Sequence, residues 1–144
     1  MKNGEKVSAF VGSASNEITE AIISGCPRMR NWKVIDEPKV TVLYVESGAN
    51  VIFLFSFDVC EFTRDEASLL RESLSGVLGT ERRNVHVYCT HTHSSSLGGE
   101  HNLQLLIDLS AEAAEKSIES SGKVSTIEFL RVDTGRTYNI NRRA

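Results

Sequence analysis

The sequence predicts an α/β fold: a mixed β-sheet with helices packed on it, in a single domain spanning residues 1–144. Three observations carry this. Short β-branched and aromatic runs alternate with two longer stretches whose apolar residues recur at helical spacing. One pair of strand-like runs is joined directly by a turn cluster, as an antiparallel hairpin requires, while later strands are separated by helices. Finally, 144 residues with 40% hydrophobic and 24% charged content suffice for one core and not for two.

Val7 to Ser15 reads as a first strand, and the segment from Glu17-Ile18-Thr19 through Gly25-Cys26-Pro27 to Trp32 shows no clear period. Lys39 to Glu46 and Val51 to Asp58 flank the turn cluster Ser47-Gly48-Ala49-Asn50 and form the hairpin. The second of these strands is apolar on both faces up to Ser56, which predicts a central strand covered on both sides. Thr63-Arg64-Asp65-Glu66 has the spacing of a capping box, after which Ala67, Leu70, Leu74 and Val77 keep helical period until Gly79. A strand over Asn84 to Thr90 follows. Leu103, Leu106, Ile107, Leu109, Ala113, Ala114 and Ile118 mark a longer helix ending at Ser121-Gly122, and Val124 to Val132 returns as a strand. The tail Asp133 to Arg143 turns and extends again.

A net charge of −3 gives no electrostatic reason to expect nucleic acid or an anionic membrane as partner. The polar N-terminus is followed by no secretory apolar core, and no transmembrane segment is visible, so a cytoplasmic location is the simplest expectation. Cys26, Cys60 and Cys89 are too few and too irregular for a disulfide framework. Cys60 and Cys89 end apolar runs and read as small buried residues.

The chemistry concentrates where Val85-His86-Val87-Tyr88-Cys89 runs into Thr90-His91-Thr92-His93 and then into the small residues Ser94-Ser95-Ser96-Leu97-Gly98-Gly99. On a continuing strand His91 and His93 share a face, so two imidazoles converge at a strand end. Zinc suits such a pair, as does one metal ligand beside a general acid/base. His86 lies on the opposite face and reads as a packed or surface histidine. His101 either folds back over the loop as a further ligand or stands solvated near a helix N-terminus. Asp58 ends another strand and shares this edge if the two strands run parallel. It is then a ligand, a carboxylate that orients a ligand histidine, or simply a polar residue ahead of a helix.

Thr90-His91-Thr92-His93-Ser94 followed by a glycine pair resembles the Thr-His-Thr-His-Ser-Gly-Pro-Gly-Gly signature of the neutral/alkaline, non-lysosomal ceramidase family. Val11-Gly12 with Glu17-Ile18-Thr19, Phe55-Ser56-Phe57-Asp58 and Tyr138-Asn139-Ile140-Asn141-Arg142 are similar, in order, to that family's Gly…Asp-Ile-Thr-Pro, Val-Ser-x-Asp and Asn-Arg-Ser segments. The resemblance implies a zinc amidohydrolase with a small-molecule or lipid-like amide substrate. It makes His91 a zinc ligand, places His93 beside the metal to assist proton transfer or touch substrate, and brings Arg142 to steady substrate charge. The loop here is one residue longer than the family's and lacks its proline. Family enzymes are several times longer and draw a further histidine, a glutamate and a tyrosine to the metal from later regions. On the reading as a compact hydrolase, His101, Asp58 or residues of a second subunit in a homo-oligomer complete the site. Two other readings stand beside this one: a non-catalytic ceramidase-like domain, and a metal-free anion- or metabolite-binding module built on Gly98-Gly99 and Arg142.

Overall fold

The computed structural model describes residues 9–18, 36–93, 95 and 101–125. Their elements are β1 (Ala9–Glu17), β2 (Lys39–Ser47), β3 (Asn50–Phe57), α1 (Arg64–Val77), a single 3₁₀ turn (Arg82–Asn84), β4 (Val85–Cys89), α2 (Leu103–Glu119) and β5 (Gly122–Val124). The sheet order is β4-β3-β2-β1-β5. β1, β2 and β3 form an antiparallel meander, β5 joins β1 antiparallel, and β3 pairs with β4 in parallel. The mixed α/β architecture is therefore present.

The hairpin closes through Gly48-Ala49, with Ser47 opposite Asn50. Gly48 has φ +58, the left-handed first position that a primed two-residue loop needs. α1 starts at the predicted capping box: Thr63 Oγ1 accepts from Glu66 N at 3.2 Å, and Thr63 N donates to Glu66 Oε2 at 2.8 Å. Gly79 follows its end with φ +61. α2 is capped by Asn102, whose side-chain oxygen accepts from Leu105 N at 3.2 Å.

Both helices lie on one face of the sheet. Val40 and Val42 of β2, Phe53, Phe55 and Phe57 of β3 and Val85 of β4 point into the helices, where Leu70, Leu74, Leu106, Ile107, Ala113 and Ala114 meet them. Phe55 and Phe57 are fully buried, and each contributes roughly 2–3 kcal/mol by leaving water. Gly12 lets α2 descend onto β1, because a Cβ there would sit 1.8 Å from the Ser117 carbonyl oxygen.

Coverage of β3 on both sides is corrected by the structure. It is an internal strand, but Ile52 on its other face is 41% exposed, as are Leu43 of β2 at 36% and Tyr88 of β4 at 54%. The strand's apolar run reflects its position between two neighbours; among the described residues both helices pack on one side. Val77 and Ile118, on the helical stripes by spacing, are exposed near the helix ends. The last strand begins at Gly122, two residues earlier than the pattern suggests. The segment around Cys26 and Trp32, the loop glycines Gly98 and Gly99, and the tail with Arg142 lie outside the described residues.

Candidate metal centre

The parallel pairing of β3 and β4 puts both carboxyl ends at one edge, with Phe57 opposite Cys89 and Thr90 N donating to Phe57 O at 2.9 Å. Ligand sites in α/β sheets gather outside such ends. The residues that run on from the two strands, 58–60 and 90–93, are therefore neighbours.

His91 and His93 do converge, with ring centroids 5.0 Å apart and planes at 85°. The route differs from strand alternation. β4 ends at Cys89, and His91 turns the chain with φ +59, a left-handed conformation costing about 1 kcal/mol or more for a residue with a Cβ. His91 Nδ1 lies 2.8 Å from the Cys60 carbonyl oxygen. A carbonyl only accepts, so Nδ1 carries a proton, and in the neutral ring Nε2 has the lone pair, the arrangement that outer partners impose on metal-bound histidines.

The Cys60 thiol stands 3.9 Å from the same Nδ1. Cys60, His91 and His93 each offer a donor atom, and the three atoms lie within 4.8 Å of one another; the thiol is buried and both imidazoles are exposed. Cys60 is the member of this candidate group least visible in the sequence. Its place beside His91 follows from the parallel register, and the only local sign was that it ends the run through Asp58.

Asp58 shares the edge but faces elsewhere. Its Oδ2 accepts from Lys39 N at 3.1 Å while its own N–H donates to Lys39 O at 2.9 Å, tying the end of β3 to the start of β2. With Asp36, Glu37, Pro38, Thr92 and Ser95 it lines a cavity of about 340 Å³ next to the histidine pair.

No family model matches the sequence, and no curated protein matches it. Solved structures do. Neutral ceramidase from Pseudomonas aeruginosa superposes with a TM-score of 0.61 at 14% identity, over 81% of this chain and 22% of that one. A ceramidase complexed with C2 superposes at 0.63 and 15% identity, over 80% of this chain and 22% of that one. The fold is that of part of neutral ceramidase. This chain thus spans about a fifth of the length of the ceramidases it matches, and at such identities the likeness speaks for the fold alone.

On the ceramidase fold the Thr90-His91-Thr92-His93 motif occupies the shared carboxyl edge of β3 and β4. His101 is placed differently from His91 and His93. Its side chain is fully buried, neither solvated nor within the three-donor group. Nδ1 donates to Glu66 Oε1 at 2.9 Å, the ring tilts against Phe62 at 4.9 Å, and the buried Nε2 has no hydrogen-bond partner among the described residues. Cys89 ends β4 half-buried, and burial pushes its thiol pKa up.

Proposed function

We propose that this chain carries the metal-binding edge of a zinc-dependent, ceramidase-like amidohydrolase that cleaves the amide of a lipid-like N-acyl substrate. The observation that carries the reading is the His91–His93 pair, five ångströms apart, with His91 already oriented by the Cys60 carbonyl. The ceramidase fold raises the expectation of this chemistry without supplying it.

The donor chemistry suits zinc, since imidazole nitrogen and thiolate sulfur are its common ligands. When bound, the metal supplies a Lewis acid and lowers the pKa of its water to about 7. His91 holds it through Nε2. His93, exposed beside it, holds or moves a proton at the substrate, or shares the ligation. Asp58 supports the reaction by fixing the β2–β3 edge and shaping the adjoining cavity. Arg142 steadies charge on the substrate carbonyl, as the family resemblance implies. A cytoplasmic, reducing setting suits the free thiols of Cys60 and Cys89.

The coverage of 22% favours one refinement, in which activity requires further residues from a second subunit or another polypeptide segment. The first test is elemental analysis of protein purified without a histidine tag, followed by release of fatty acid from N-acylsphingosine. Zinc at one equivalent with fatty-acid release, both lost in His91→Ala, is the expected result. Zinc without release identifies a metal-binding, non-catalytic ceramidase-like unit, and absence of zinc from the wild type overturns the proposal.

A further inference from the structure

We propose that Cys60 is itself a metal ligand, so that its thiolate and the imidazoles of His91 and His93 hold one thiophilic divalent cation within a single chain. The inference rests on the metal-centre reading above and adds a third donor to it, one for which the family resemblance gives no counterpart.

Cys60 sits in the connection between β3 and α1, whose backbone is fixed on both sides: Asp58 N bonds Lys39 O, and Thr63 caps α1. Val59 is fully buried, and the Phe62 ring packs edge-on against Phe57 at 5.1 Å. The thiol is therefore delivered by the core rather than by a free loop. A cysteine acting only as a small apolar filler would keep its sulfur among hydrocarbon neighbours. This sulfur instead lies 3.9 Å from Nδ1 of the exposed His91, the ring nitrogen held by the Cys60 carbonyl, so the thiol borders the imidazole itself.

Ligands on a tetrahedral zinc stand roughly 3.5 Å from one another, given bond lengths of about 2.0–2.3 Å. One donor atom from each of Cys60, His91 and His93 lies within 4.8 Å of the others, about an ångström wider than that spacing, so a small rotation of the two exposed imidazoles closes the set. The buried sulfur forms the floor and the two exposed imidazoles the rim, which leaves a coordination position toward solvent. Three protein ligands with one open position is the pattern of catalytic zinc rather than of closed structural sites.

His91 adopts φ +59 where glycine would do so without penalty, and that turn is what brings both rings over Cys60. Binding converts the thiol to a thiolate, with its proton released to water and a sulfur–metal bond formed; nothing is oxidised or reduced. A sulfur donor also biases the site toward zinc, cobalt and cadmium and away from magnesium and calcium, which take oxygen.

Cobalt(II) is the probe. The chelator-treated wild-type chain is titrated with cobalt(II), and a near-ultraviolet thiolate-to-cobalt charge-transfer band at one equivalent is expected. A Cys26→Ser/Cys89→Ser protein, in which Cys60 is the sole cysteine, keeps the band. In Cys60→Ser the band disappears and cobalt affinity falls at least about tenfold, since loss of even an outer partner of a metal ligand costs 10- to 100-fold. One-to-one cobalt binding without the band overturns the role of Cys60 and leaves the imidazole site standing. Loss of the band in the Cys26→Ser/Cys89→Ser protein while it still binds one equivalent of cobalt also overturns it. Absence of any cobalt or zinc binding removes both this inference and the proposed function.

Discussion

Glu66 satisfies groups on two helices. Its Oε2 accepts from the backbone N–H and hydroxyl of Thr63 at 2.8 Å each, closing the cap of α1, while Oε1 takes the Nδ1 proton of His101, the residue before the cap of α2. Only 7% of Glu66 is exposed, and the His101 side chain is fully buried. Removing the carboxylate opens the cap of α1 and strands the buried Nδ1 donor of His101 together, so Glu66→Ala is expected to cost about 3 kcal/mol, against about 1 kcal/mol for Thr63→Ala. Urea denaturation with a shared slope checks the ratio, and equal losses would show that the His101 bond adds nothing. Thr63 and Glu66 were legible as a cap because they stand three apart. The partnership with His101 was not, since it spans 35 positions and exists only once α1 and α2 pack.

Among the elements, α2 depends most on a single missing side chain. It crosses β1 at Gly12, where the Ser117 carbonyl oxygen occupies the space of a Cβ, and it is tied further along β1 by Asn16 Nδ2 donating to Leu109 O at 2.9 Å. Gly12→Ala forces the helix outward and is expected to cost at least about 2–3 kcal/mol, at the upper end of overpacking effects. Thermal melts should show a clear drop in midpoint for Gly12→Ala and little change for Gly76→Ala, whose added Cβ meets nothing. The hairpin and both helices were legible because turn residues, caps and apolar period are local signals. The end of β4 was not. Asn84 to Thr90 reads as one strand, yet the strand starts at Val85, its pairing with β3 stops at Cys89, and the chain turns at His91.

For the whole molecule, one titrating side chain couples stability to alkaline pH. Tyr44 lies on the core face of β2, its hydroxyl donating to Glu46, and its pKa is pushed up to about 12, first by burial and then by the Glu46 carboxylate. In the unfolded chain the phenol titrates near its ordinary value of about 10. Between about pH 10 and 12 the unfolded state therefore binds fewer protons than the native one, and stability falls as pH rises. Urea midpoints measured across that window should decline less steeply in Tyr44→Phe than in the wild type, and parallel curves would remove Tyr44 as the cause. The sidedness of the sheet is also a property of the assembled chain. The run Val51 to Phe57 reads as apolar on both faces, and that Phe53, Phe55 and Phe57 rather than Ile52 meet the helices follows from where α1 and α2 return. The candidate centre was half legible in the same sense: two histidines a residue apart are visible in sequence, and the cysteine beneath them is brought there by topology.

The left-handed backbone at His91 has an evolutionary consequence. Glycine accepts that conformation freely and asparagine more easily than most residues, so replacement by either should relieve strain while deleting the imidazole. Selection for thermal robustness alone would push position 91 toward those residues, and selection for an imidazole at the proposed centre would hold histidine there.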